Sequence, residues 1–545
     1  MIQPLTPTQQ KWVDDTLADL PLAGAVAQLL SVTRPWDEAA EWLKLYEQSP
    51  FGAMSIRART AEAYQAVVRQ VQAGVPIPLC VIANMEHGAA EWPGYGTDFP
   101  FLMAAGAADD PALSAAIGAA TAVEARHLGV NWALTPCVDI NYNFNNPVTN
   151  IRALGDRPDL INRLAPPLIH ALQSHGVAAT TKHFPGDGLD DRDQHLLTTI
   201  NHLPFDQWLA TYGIVWREII AAGAWTIMPG HIALPDYQGY RDDPAAAPPA
   251  TTSYKLLTEL LRGELGFEGV IVSDSTSMIG LTSRAAPAER IVQSVAAGID
   301  VYLGADPVRD HAALMSALAD GRLSEARIYE AVRRVLSLNA RLNLAEAPLG
   351  PAPSADQQTA YTVAAQQLAD QSLTVIRGAE QLPVPLEAGA RVLTVTIAQL
   401  KPMFGQTDLE IFDAELRARG YEVTHLLNPT TAELTSAAAE SAVVFINVYV
   451  TPMTHMGTNR VVQDSFPTWG WRALYNEHPN VYYTSFGSPY LLHEMPHIPN
   501  LLAAYGGAET SQRAAVRVWL GELAATGQLP VALPQIKVRG WPDGA

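Results

Sequence analysis

Residues 181–195 read TKHFPGDGLDDRDQH, placing two histidines and four aspartates around two glycines in one short stretch. Such a cluster suits metal ligation, loop scaffolding or proton transfer. The aspartates at 187, 190, 191 and 193 are not at calcium-loop spacing, and the Glu that closes such a loop is missing. His183 and His195 lack the His-x-x-x-His or paired-Cys company of a zinc site, so no metal is expected. Asp- and Gly-rich loops are common as solvated turns. Against that reading, Lys182 and His183 end an apolar run, and Asp193 stands two residues before His195. In extended backbone, residues two apart point the same way, so the Asp193 carboxylate can hold one ring nitrogen of His195. The other nitrogen is then available to move a proton. A second group of interest is Asp274 in FEGVIVSDSTSM, a carboxylate directly after a fully apolar strand. The alternative for Asp274 is a helix N-cap.

The elements around these residues must bring them together. From about residue 75 to 320, apolar runs such as IPLCVIA (77–83), VNWALTPCVDI (130–140) and GVIVS (269–273) alternate with helical periodicity. Strands separated by such helices predict βαβ units and a parallel sheet. Glu86, Asp139, His183, His231 and Asp274 each fall at or just after a strand end. Catalytic groups of a (β/α)8 TIM-like barrel gather at that C-terminal rim, whereas an open sheet concentrates them in one crevice. The fold expected is therefore α/β, a barrel followed by a second α/β domain. The Pro- and Ala-rich stretch NLAEAPLGPAPSADQQ (343–358) marks the join, giving a barrel over 1–345, a linker over 346–358 and a C-terminal domain over 359–545.

Composition narrows the function. Lys and Arg total 35 against 55 Asp and Glu, a net charge of −20, which argues against nucleic acid and against an anionic membrane surface. Cys80 and Cys137 sit inside apolar runs and read as buried thiols. The first residues, MIQPLTPTQQKWVDD, lack a basic segment followed by an apolar one, and no run is long enough for a spanning helix; a cytoplasmic protein is expected.

Taken in order, the motifs resemble glycoside hydrolase family 3, and within it the β-N-acetylglucosaminidase branch. GVNWALTPCVDINYNFNNPVTNIRALGDRP (129–158) is similar to that branch's GINxxxAPVxDVNxNPxNPVIxxRSFGxDP. KHFPGDG with D-Q-H following resembles its KHFPGHG…DSH loop, MPGHIALP (228–235) its MTAHIxYP, and GELGFEGVIVSD (263–274) its RxxLGFxGVIxSD. SFGSPYLL (485–492) and LPVALP (529–534) resemble segments of the family's C-terminal αβα sandwich. The resemblance implies a retaining exo-acting β-glycosidase, with Asp274 as nucleophile and His195, oriented by Asp193, as acid and then base. Because the pair lies on a loop, it is expected to move between open and closed positions. Lys182, His183 and Arg152 match sugar-hydroxyl contacts, and Met228 and His231 match subsite lining. For Arg152 the alternative is a rim salt bridge.

Departures are concentrated after the apolar run IPLCVIA. Where the family has Asp-Gln-Glu-Gly-Gly and a downstream arginine, VIANMEHGAAEWPG (81–94) has Asn84 for the sugar-binding Asp, with Ala89 and Trp92 where arginines are expected. An amide cannot accept two charge-assisted bonds as a carboxylate does. Trp92 either stacks on a sugar face or packs under the rim. The loop's second histidine is Asp187, and Ser275 follows the nucleophile in place of Asp. The leading expectation is a β-N-acetylhexosaminidase acting on an oligosaccharide or glycoconjugate. A β-N-acetylglucosaminide phosphorylase, a β-glucosidase or β-xylosidase variant, and a sugar-binding protein with decayed activity are the alternatives. No cofactor is implied, and a homodimer is possible. Between residues 450 and 472, His455, Asn459, Arg460, Trp469 and Trp471 form either a sugar subsite or an ordinary interface.

Overall fold

The computed structural model describes residues 1–56, 60–91, 95–398, 409–451 and 468–534. Its first domain is built on eight short strands: β1 (Leu30–Arg34), β2 (Ala53–Ile56), β3 (Cys80–Ala83), β4 (Trp132–Ala133), β5 (Ala178–Phe184), β6 (Thr226–Pro229), β7 (Val270–Ile271) and β8 (Tyr302–Leu303). Each is parallel to its neighbour in chain order, and β8 returns to pair with β1. A bridge between Val272 and Val301 joins β7 to β8, so the sheet closes into a barrel. The strands are short and almost wholly buried because side chains fill the barrel from inside while helices cover it outside. Met228, Trp132, Ala178 and Val270 share one apolar cluster. Alternate residues of β6 face opposite ways: Thr226 hydrogen-bonds inward to Trp132 and Thr180, so Met228 shares that inward face.

Two expectations change. The first two strands, LSVTR and AMSI, lie before residue 75, outside the alternation that the sequence pattern predicts. The strand read over 130–140 shrinks to Trp132–Ala133, because Pro136 lacks the N–H a ladder needs and the chain leaves the sheet there.

The C-terminal domain carries a six-stranded mixed sheet: β9 (Thr374–Arg377), β10 (Arg391–Ala398), β11 (Glu422–Leu427), β12 (Val443–Tyr449), β13 (Val481–Ser485) and β14 (Leu501–Ala503). The order is β9-β14-β13-β12-β10-β11, with β9 antiparallel at one edge. Strand positions alternate between two apolar clusters. Val392, Val443 and Phe445 pack with Phe412 and Trp519 on one face, and Leu393, Val444 and Ile446 pack with Leu434 and Tyr483 on the other. Burial of both faces is what an αβα sandwich requires. Trp471 is 1% exposed within the second cluster, so it is core and not a sugar platform. His455, Asn459 and Arg460 lie outside the described residues, as does Trp92.

Part of the stretch read as a linker is helix. Ser354 caps Ala355–Ser372 in a box with Gln357, and this helix packs on helices of both domains (Leu102–Ala108, Pro111–Leu128 and Glu509–Trp519). The sandwich also reaches the barrel rim: Asn150 donates to the Ser488 hydroxyl at 3.1 Å, and His493 stacks on Phe144 with centroids 3.6 Å apart. Among the described residues no helix is long and apolar enough to cross a membrane.

Candidate active site

Strand ends deliver the polar residues to one mouth. Asp274 follows β7, and its Oδ1 accepts the Ser275 N–H at 2.7 Å. Its Oδ2 lies 3.9 Å from His183 Nε2, and the side chain is 14% exposed. Burial by itself would raise the Asp274 carboxyl, but the nearby imidazoles of His183, His231 and His195 and the Ser275 amide outweigh it. The net effect is downward, so Asp274 is a carboxylate at neutral pH.

His183 ends β5 and is held by Asp139. Asp139 accepts the His183 backbone N–H at 3.1 Å and Nδ1 at 2.7 Å, and it also accepts the Asp187 N–H and the Cys137 thiol. Burial pushes Asp139 up, and the attraction to His183 together with these donors outweighs it, leaving it below the usual carboxylate range. His183 therefore turns Nδ1 to Asp139 and Nε2 to Asp274. Cys137, Asp139 and His183 are close enough to share an ion. Their atoms are instead satisfied by one another, and burial together with the Asp139 charge raises the Cys137 thiol so that it stays protonated.

A second buried group centres on Glu86, just beyond β3. Arg152 clamps it through Nε and Nη2, both at 2.7 Å, and Lys182 Nζ donates to it at 2.5 Å. Glu86 is 5% and Lys182 3% exposed. Burial would raise the Glu86 carboxyl, yet the two cations overcome it and hold the group far below its ordinary value. Arg152 thus makes a salt bridge, but a buried one that also binds the Val148 carbonyl. Asn84 is exposed at the end of β3 and Ala89 is buried. His87 is an addition that no spacing signalled. Burial would lower its pKa, but Asp98 at 2.8 Å, Glu91 and Glu86 raise it to about 9, so it is cationic at neutral pH.

The acid/base candidates stand on the loop after β5. Asp193 Oδ1 accepts both the backbone N–H of His195 at 2.8 Å and its Nδ1 at 2.7 Å. Asp193 is fully buried, and the His195 ring is 16% exposed. The loop lies against the segment that follows Asp274: the Ile279 N–H donates to the His195 carbonyl at 2.9 Å, and Thr198 donates to the Gly280 carbonyl at 2.7 Å. A Cβ on Gly280 would sit 2.4 Å from the Gln194 carbonyl oxygen, so only glycine allows this approach. Asp274 and the Asp193–His195 pair are therefore brought together by separate strand ends.

Met228 and His231 are placed differently from Asn84. Met228 is 2% exposed inside the barrel, and His231 is fully buried. The His231 ring hydrogen-bonds Thr251 Oγ1 through Nδ1 and the Ser275 carbonyl through Nε2, both at 2.9 Å. Burial lowers its pKa, so it is neutral, and its Nε2–H supports the turn behind Asp274.

The chain as a whole is similar to known proteins. Residues 22–338 match the family model for the glycosyl hydrolase family 3 N terminal domain. A Cellulomonas fimi protein named β-N-acetylglucosaminidase/β-glucosidase is 30% identical over 541 residues, covering 95% of each chain. β-Hexosaminidase A of Pseudoalteromonas piscicida is 29% identical over about half of each chain. Among solved structures, a β-glucoside phosphorylase superposes with a TM-score of 0.86 at 28% identity, covering 97% of this chain and 96% of that one. A family 3 β-N-acetylglucosaminidase of Paenibacillus sp. str. FPU-7 gives 0.83 at 25%, covering 94% and 99%. A barrel with these rim residues, followed by this sandwich, belongs to glycosyl hydrolase family 3, and the chain is a glycosidase of that family.

Proposed function

We propose that the protein is a retaining, exo-acting β-glycosidase that removes terminal β-linked N-acetylglucosamine-type sugars. The observation that carries this is the pairing of Asp274, ionised at one strand end, with a His195 whose Nδ1 is held by Asp193 on a loop packed against the Asp274 segment. The Asp274 carboxylate attacks the anomeric carbon as the glycosidic C–O bond breaks, and protonated His195 delivers its Nε2 proton to the departing oxygen. A glycosyl ester on Asp274 results. Neutral His195 then takes a proton from water, whose oxygen attacks the anomeric carbon and frees Asp274. The Arg152–Glu86–Lys182 group and His183 Nε2 supply donors and acceptors for sugar hydroxyls. Preference for the 2-acetamido sugar rests on likeness to relatives bearing that name.

One observation favours a second reading, phosphorolysis. After protonating the leaving group the acid/base is a neutral imidazole, which does not repel phosphate as a carboxylate would, and a similar solved structure carries the phosphorylase name. The test is an aryl β-glycoside panel, with and without the acetamido group, assayed with and without inorganic phosphate on wild type, Asp274→Ala and His195→Ala. We expect Asp274→Ala to abolish turnover, and His195→Ala to spare activated leaving groups while losing poor ones. Free sugar as product supports hydrolysis, and sugar 1-phosphate supports the second reading. Activity surviving in Asp274→Ala overturns both.

A further inference from the structure

Gln194 stands between the two members of the acid/base pair and is completely buried. Both ends of its amide are engaged, one by the segment after β6 and the other by the root of its own loop beside β5. Its Oε1 accepts the His231 backbone N–H at 2.8 Å, and its Nε2 donates to Asp187 Oδ2 at 3.2 Å. The surroundings are shaped to admit it: a Cβ on Gly230 would lie 2.7 Å from Gln194 Oε1, and one on Gly280 would lie 2.4 Å from its carbonyl. The His231 ring in turn holds the Ser275 carbonyl, next to Asp274. One side chain therefore ties the acid/base loop to the ends of β5 and β6, and through His231 to the turn that carries the nucleophile.

We propose that Gln194 is a positioning residue, a latch that sets His195 against Asp274, with Asp187 as its counterpart. The inference rests on the roles given to Asp274 and His195 above. Swinging the loop away would leave the His231 N–H and Asp187 Oδ2 buried without their partner, a costly state that holds the closed arrangement. Asp187 is prepared for this role. Asn146 and the Gly188 N–H occupy its Oδ1, leaving Oδ2 for Gln194. Tyr212 fixes its backbone carbonyl at 2.7 Å. Its charged or titratable neighbours are Asp139 and His183 from the strand ends and the Tyr212 hydroxyl, with His231 and His195 beyond Gln194. In this loop Asp187 replaces the histidine of the family pattern, and Gln194 is the residue that uses it.

The experiment compares wild type with Gln194→Met, similar in length but unable to make either hydrogen bond, and with Gln194→Glu. Turnover is measured on aryl β-glycosides spanning good to poor leaving groups. Folding is checked by circular dichroism, and a fluorinated mechanism-based sugar titrates the nucleophile. Formation of the glycosyl-enzyme, the step that kcat/KM reports, suffers from a misplaced acid only where the leaving group needs a proton. Gln194→Met is expected to lose between about tenfold and about a hundredfold in kcat/KM on poor leaving groups. On dinitrophenyl glycosides it stays within about twofold, since those leave without a proton. Gln194→Glu places a second carboxylate against Asp187. Its deficit on poor leaving groups is expected to narrow as pH falls, because the two then share a proton. An equal loss of kcat/KM on good and poor leaving groups, or none, in folded Gln194→Met overturns the latch. So does a Gln194→Glu deficit that ignores pH. Failure of the sugar to label Asp274 in wild type overturns instead the reading beneath it, and the latch with it.

Discussion

Replacing Glu86 by Gln removes one negative charge from between two buried cations. Arg152 and Lys182 now make three short charged hydrogen bonds to Glu86, and all three residues are largely buried. Bonds to charged groups contribute roughly 1.5–3 kcal/mol each, but these share one carboxylate and do not add. The better guide is the loss on removing one partner of a buried pair, about 3–5 kcal/mol. Gln presents one acceptor oxygen and turns an NH2 toward a guanidinium or ammonium, so the full range applies. The folded-state pKa of Glu86 is depressed, so its stabilisation is present above the unfolded value of about 4.3 and is lost as pH falls through the folded value. Urea unfolding of the barrel, followed by circular dichroism, should show Glu86→Gln less stable by that amount at pH 7. The gap should begin to shrink below about pH 4. A gap under about 1 kcal/mol at pH 7, the scale of an exposed pair, would refute the reasoning. A gap that does not change with pH would do the same.

Three further outcomes follow from the geometry. Asp193→Asn keeps an acceptor for His195 but removes the charge behind it. Steady-state kinetics should show a loss of about 10²–10⁴ in kcat/KM on poor leaving groups, with little change in kcat/KM on activated ones. Gly280→Ala forces a methyl onto the Gln194 carbonyl, so a melting curve should register a loss of about 1–3 kcal/mol together with weakened turnover. Burial, with Asp139 beside it, raises the Asp187 carboxyl to about 7. The native state then holds a proton that the unfolded chain has lost, and the wild type loses stability as pH rises from about 4 to about 7. The stability of Asp187→Asn relative to wild type should therefore increase across that window.

The barrel was legible where apolar runs end in polar residues. VIVSD and TTKHF announce both a strand and its rim group. LSVTR and AMSI do not, because each is short and broken by polar residues, and only their neighbours in the closed sheet make them strands. Asp193 and His195 were readable from a spacing of two, since their bond is local. Asp139 and Glu86 were visible as rim residues, but what they hold was not: Asp139 meets His183 across 44 positions and Glu86 meets Lys182 across 96. Gln194 carried no signal at all, because one partner lies seven residues back at the root of its loop and the other past the next barrel strand, and its side chain is chemically unremarkable until buried. The placement of His231 was misleading for the same reason. A histidine at a strand end suggests a group facing the mouth, yet here both ring nitrogens are taken by Thr251 and Ser275.

The most direct test of the account is to find where a sugar becomes attached. Incubation with a fluorinated glycosyl fluoride, then intact mass measurement and peptide mapping, should show one glycosyl group on the peptide bearing Asp274, with activity lost in proportion. Label on any other side chain, or full turnover of substrate in a protein that never accumulates the adduct, would contradict it.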